Sequence, residues 1–157
     1  MIAINKILVP VDFSDCSRVA LDYAVYLANK LGASDIHVLH VLQLPAFSDE
    51  AKIQVEGERE QTLAEFGRSK AGGAMKEFLA EIEQGAEGEQ AGYAVHGRLE
   101  SGQPAQTVVE LVDAEGYDLV IMGTHGEAEA AKLGSIATKV VRNASCPVLT
   151  IRGGESC

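Results

Sequence analysis

A chain of 157 residues is long enough for one domain with a substantial core, and a 46% apolar content excludes wholesale disorder. Its net charge of −10 argues against direct nucleic-acid binding, which needs a basic surface to displace counterions. No apolar run approaches the roughly 20 residues of a membrane span, and the first residues lack the pattern of a secretory signal, so a cytoplasmic protein off the membrane is expected.

Strand and helix patterns alternate along the chain, which signals a parallel α/β sheet. Ile4–Val11 is a nearly continuous apolar run, the pattern of a strand buried on both faces. Asp12 and Ser14 then offer caps for a helix through about Leu31, with Ala20, Ala24, Leu27, Ala28 and Leu31 on one face and Gly32 as its stop. Ile36–Leu42 reads as the second strand. A long acidic connection follows, at about 43–92, expected to be helical from about Glu50 to Gln84 with a break at Gly72-Gly73 just before Met75. Its ten Glu against five Lys or Arg between residues 50 and 89 read as a solvated helix face. Tyr93–Arg98 is the third strand, Gly102-Gln-Pro104 opens the third helix, and Leu119–Met122 is the fourth strand. Ser135–Asn143 is the fourth helix, with Ser135 an N-cap by type, and Pro147–Ile151 the fifth strand. The whole, residues 1–157, reads as a single domain. Cys16, Cys146 and Cys157 have no close spacing and are expected as free thiols.

Ligands of open α/β sheets sit at the carboxyl ends of the strands, where strand order reverses. Asp12 ends the first strand, His40-Val41 the second, and Gly123-Thr-His-Gly126 follows the fourth, ahead of Gly134-Ser135 at a helix start. Glycines permit close backbone approach, and a helix start favours anions, so these pieces make a phosphate cradle. Neither a dinucleotide Gly-x-Gly-x-x-Gly nor a Gly-x4-Gly-Lys-Ser/Thr loop is present. His125 lacks a Ser, Cys or Asp partner in the sequence, so no catalytic residue is expected. His37, His40 and His96 fall in strand patterns without metal-ligand spacing, so no metal site is expected either.

Ile7-Leu-Val-Pro-Val-Asp-Phe-Ser14, Val38-Leu-His-Val41, Gly102-Gln-Pro104, Tyr117–Gly126, Gly134-Ser135 and Cys146-Pro-Val-Leu149 occur in that order. Over essentially the full chain this set resembles the universal stress protein family. The resemblance implies an α/β fold, an open five-stranded parallel sheet with helices on both faces, a Rossmann-like three-layer sandwich of the adenine nucleotide alpha hydrolase type. It implies a cytoplasmic homodimer, paired through the C-terminal strand 147–151, that serves stress tolerance as a regulatory module for a protein partner. An adenine nucleotide (AMP, ADP or ATP, with or without Mg) would lie against Pro10, Val11, Asp12 and Val41 at the adenine end. Met122, Gly123, Gly126, Gly134, Ser135 and Ile136 would line the ribose and phosphate end.

One segment departs from the family pattern. Seven residues, Glu127-Ala-Glu-Ala-Ala-Lys-Leu133, stand where the family's binding pattern has nine, and Glu127 takes the place of an Arg. Carboxylates at Glu127 and Glu129 repel a triphosphate, and Lys132 is the sole cation of that segment. Two functions follow: a nucleotide-binding module without efficient catalysis, or a nucleotide-independent dimeric interaction protein whose short acidic loop has lost phosphate binding. Slow ATP hydrolysis is the enzyme alternative. It needs a cationic clamp and a metal-binding carboxylate pair that the loop lacks.

Overall fold

Ile7, Leu8 and Val9 are fully buried at the centre of strand β1 (Lys6–Pro10), because apolar side chains on both faces suit only the middle of a covered sheet. The computed structural model of the protein describes residues 2–54, 57, 59–85, 92–124 and 133–152. β1 is flanked by β2 (Asp35–Leu42) and by β6 (Leu119–Gly123). Outside them lie β5 (Ala94–Ser101) and β7 (Val148–Ile151), giving a five-stranded, all-parallel sheet of order β5-β2-β1-β6-β7. The expected α/β architecture is present.

Helix α1 (Asp15–Leu31) begins where the Ser14 side chain accepts the Ser17 N–H, and ends at Gly32, which takes the left-handed φ of 72°. With α2 (Leu63–Gly85) it covers one face of the sheet, where Ala20, Leu21, Ala24, Met75 and Phe78 meet Ile7, Val9, Ile36, Val38 and Ile121. Helices α3 (Pro104–Glu115) and α4 (Ser135–Asn143) cover the other, where Val108, Val112, Ala137 and Val140 meet Leu8, Leu39, Val120 and Met122. Successive strand residues face opposite layers, so each central strand feeds both cores.

The long connection differs from its expectation. Its first part is an antiparallel pair, β3 (Lys52–Ile53) with β4 (Gln61–Thr62), and helix begins only at Leu63. Thr62 and Glu65 form a reciprocal cap: the Glu65 N–H donates to Thr62 Oγ1 (3.1 Å) and the Thr62 N–H to Glu65 Oε2 (2.8 Å). The helix then runs unbroken through Gly72-Gly73. Burial of Met75 and Phe78 offsets the roughly 1 kcal/mol that each glycine costs, and at Gly72 the helix passes close to Leu99. Cys16 takes part in a disulfide, against the expectation of free thiols, whereas Cys146 keeps its thiol.

β5 is an edge strand with two unlike faces. Val95 and Leu99 pack under α2, while His96, Arg98 and Glu100 stand on the opposite face, beyond the α3–α4 layer, where Arg98 pairs with Glu100 (2.8 Å) and Glu115 (2.6 Å). Gly97 is forced by packing, since a Cβ there would lie 2.9 Å from both Leu79 Cδ1 and Met75 Cγ. Gly97→Ala is therefore expected to cost about 1–3 kcal/mol. Urea unfolding should show this as a lowered midpoint at unchanged slope.

Candidate functional site

The site is opened by unequal strand lengths. β1–β2 pairing ends at Pro10 opposite Leu39, and the last bond between them runs from the Val11 N–H to the Leu39 carbonyl (2.8 Å). β2 continues to Leu42, whose carbonyl accepts the Gly102 N–H on the β5 side (3.0 Å). Peptide groups alternate sides along a strand, so those of Val41, like those of Leu39, point toward β1, beyond its end. Val41 therefore presents a backbone donor and acceptor to the space that β1 vacates.

Asp12 stands at the floor of that space. Its Oδ1 accepts from the Ser14 hydroxyl (2.5 Å), the Ser17 hydroxyl (2.6 Å) and the Ser14 N–H (3.1 Å), and its own N–H donates to Ser17 Oγ (3.0 Å). Oδ2 carries none of these bonds. Partial burial works against ionisation, but the two hydroxyls and the backbone N–H groups outweigh it and hold the carboxyl below its ordinary range. Asp12 is thus a fixed anion at neutral pH, aimed by the start of α1.

Phe13 follows with φ 65°, the sole non-glycine residue in the left-handed region among the described residues. Its ring lies 4.4 Å from the His40 ring and 5.5 Å from Phe78 in an edge-on contact, and this packing holds the strained turn. His40 also places Nδ1 2.9 Å from the Val11 carbonyl, so its ring ties the end of β1 to β2.

The opposite wall comes from β6 and α4. A Cβ on Gly123 would lie 3.1 Å from Cys16 Cβ, so a glycine is what lets β6 end against the first turn of α1. The Thr124 N–H donates to the Ile151 carbonyl (3.0 Å) and the Gly134 N–H to the Thr124 carbonyl (2.6 Å), which draws the start of α4 back to the end of β6. The N-cap is Gly134, not Ser135, which is the first helical residue, and no side chain among the described residues caps this helix. Its first-turn amides are thus left for an incoming acceptor, the arrangement that suits an anion.

These elements enclose a cavity of about 440 Å³ at the carboxyl ends of the strands, where the order reverses between β1 and β6. Pro10, Val11, Asp12, Val41, Met122, Gly123, Gly134, Ser135 and Ile136 all line it, as the sequence suggests. Gly126, with His125 and the acidic segment Glu127–Lys132, lies outside the described residues. The cavity also draws on His40 and Thr124, from the strand-end and loop motifs of the sequence, and on Ser17, Gln43, Pro104 and Val108, which sequence reasoning missed. Ser17 carried a signal, since its spacing from Ser14 is that of a cap partner, and Gln43 lies two residues beyond Val41, on the same side of the chain. Pro104 and Val108 arrive only because α3 packs over β2.

The sheet order, with helices on both faces and this cavity at the carboxyl ends of the strands, defines an α/β protein of the doubly wound type. The sequence model of the Universal stress protein family matches residues 3–152, and the chain belongs to that family. The universal stress protein MJ0531 of Methanocaldococcus jannaschii is 31% identical over 150 residues, spanning 94% of this chain and 82% of the relative. Among solved structures, UspA of Lactobacillus plantarum superposes with a TM-score of 0.73 at 25% identity, covering 96% of this chain and 99% of that one. The solved structure of MJ0577 gives 0.70 at 25% identity, covering 97% and 98%. More distant structures share the fold, each covering 96% of this chain: a universal stress protein in complex with cAMP (22% identical, TM-score 0.66, 98% of that chain), an Arabidopsis thaliana protein with AMP bound (17%, 0.65, 93%) and an Archaeoglobus fulgidus protein in complex with dAMP (20%, 0.61, 99%). No helix among the described residues is long and apolar enough to cross a membrane.

The hydroxyls on Asp12 generate a pH prediction. A lowered carboxyl pKa contributes stability above the unfolded value of about 3.9, and that contribution is lost as the pH falls through the folded value. Ser17→Ala removes one hydroxyl, so the Asp12 pKa should rise toward its ordinary value and acid unfolding should begin at higher pH. Carbon-detected NMR titration of the side-chain carboxyl measures the first, and circular dichroism against pH the second.

Proposed function

We propose that this chain is a regulatory adenine-nucleotide-binding module of the cytoplasm, working as a homodimer without efficient catalysis. The observation that carries the reading is the convergence on one cavity of three recognition elements: the oriented Asp12 carboxylate, the Val41 peptide edge and the uncapped start of α4. A carboxylate accepts the adenine amino hydrogens, a strand edge matches the donor and acceptor pattern of the ring, and helix amides take phosphate oxygens. The complexes of related folds with AMP, cAMP and dAMP support the same ligand class. Asp12 is the single carboxylate among the described residues of the cavity, so a metal-binding carboxylate pair for phosphoryl transfer is missing from them. Mg would enter with the nucleotide.

Glu127 and Glu129 raise the cost of each further phosphate charge, so AMP or ADP should bind at least as tightly as ATP. Titration calorimetry with the three nucleotides checks this. A marked preference for ATP overturns the charge argument. Absence of binding by all three turns the reading to the second function, a nucleotide-independent interaction protein, which the acidic composition of residues 127–132 favours. Asp12→Ala should weaken all three nucleotides by a similar factor, because the adenosine end is common to them.

Dimerisation is read from the edge at β7. The Pro147 and Ile151 carbonyls accept from β6, so by alternation the peptide groups of Val148 and Thr150 face outward and unpaired strand edge invites a second copy. Beside it, Leu149 is 36% exposed and Val141 of α4 46% exposed, an apolar flank that pairing would cover, and no lysine guards the strand. Thr150→Pro removes an outward donor while sparing the β6 ladder. Analytical ultracentrifugation should show a wild-type dimer at micromolar concentration and a monomeric variant. A monomeric wild type removes the interface.

A further inference from the structure

A second cluster of chemistry-bearing side chains stands at the other end of β2, at the amino-terminal edge of the sheet and remote from the cavity. Asp35 and His37 are two residues apart on one strand and so share a face, and His96 on β5 is the register partner of His37. Their ligand-type atoms all lie within 4.8 Å of one another. His96 Nε2 is 3.3 Å from Asp35 Oδ1, and the rings of His37 and His96 are 5.1 Å apart. Two tetrahedral ligands, each about 2.0–2.1 Å from an ion, are separated by about 3.3 Å, so one pair already has the required spacing.

We propose that Asp35, His37 and His96 form a binding site for a divalent transition metal of the zinc type. Two imidazoles and one carboxylate suit Zn2+ and its neighbours, whereas Mg2+ and Ca2+ demand oxygen donors throughout. The surroundings are those of a ligand set. The Tyr117 hydroxyl, 2.7 Å from His37 Nδ1, fixes the ring and leaves its other nitrogen to the metal, as outer contacts do for ligating histidines. The Ser34 hydroxyl donates to Asp35 Oδ2 (2.7 Å) and holds the carboxylate. Nearby cations are neutralised elsewhere: Lys6 pairs with Glu115, and Arg98 with Glu100 and Glu115. β5 is the sheet edge and Asp35 and His96 are exposed enough that water can complete the coordination sphere. The strip they occupy is the part of this sheet face beyond the α3–α4 layer.

The test uses the full chain after chelator treatment. Calorimetric titration with ZnCl2 should show one ion per chain, and His96→Ala and Asp35→Asn should each weaken it by at least about tenfold while far-UV circular dichroism stays native. Because His96 is exposed on an edge strand, its loss leaves the core intact. Nitrogen-detected imidazole spectra give a mutation-free check: Zn2+ should move the His37 and His96 signals and leave His40 in place. No binding by wild type, equal binding by the variants, or a response confined to other residues would each overturn the site. AMP titration of the same variants should match wild type, so failure of the metal site and failure of the nucleotide reading stay distinguishable.

Discussion

The cavity exists because β1 stops short of β2. Pro10 occupies the last paired position of β1 and Val11 makes the final bond to Leu39; after that the chain turns away through Asp12 and the left-handed Phe13. Had the ladder run two residues further, the Val41 peptide groups would be spent on β1 and the space above them filled. Everything else at the site follows from that early exit. Phe13 is wedged against His40 and Phe78, the Val11 carbonyl is met by the His40 ring, and Asp12 is left beside the first turn of α1.

The two faces of the sheet divide the work. The α1–α2 layer is the larger apolar core and reaches every strand through side chains such as Val9, Ile36 and Ile121. The α3–α4 layer leaves β5 uncovered, and there the sheet carries His96, Arg98 and Glu100 instead of apolar residues. Lys6, Glu115, Tyr117 and Arg98 knit that rim together with charged and hydroxyl groups. Exposed ion pairs of this kind add little to stability individually. Their effect is to fix positions at the sheet's amino-terminal edge.

Much of this was legible in the chain. Continuous apolar runs mark β1 and β6 because both faces are buried, and Gly32 and Pro104 mark helix ends because few residues tolerate those positions. Nine of the ten residues that the family resemblance implies for the site line the cavity, and the tenth lies outside the described residues. The β3–β4 pair was obscured by its short strands and charged surroundings. The start of α2 was readable in Thr62-Leu-Ala-Glu65, a capping sequence that the Glu-rich context hid. What the sequence could not yield is adjacency across strands. His37 and His96 are 59 positions apart by residue number, and only the parallel register of β2 and β5 sets them side by side.

Ser14 has two tasks. Its oxygen accepts the Ser17 N–H that opens α1, and its hydroxyl donates to Asp12. The first turn of the helix and the floor of the cavity are therefore one cooperative unit in local unfolding. Fraying at Ser14 releases the carboxylate as it releases the helix end, and a ligand held by Asp12 would lower the opening rate of α1. Hydrogen exchange at the Ser17 and Arg18 amides would consequently report on any ligand that Asp12 holds.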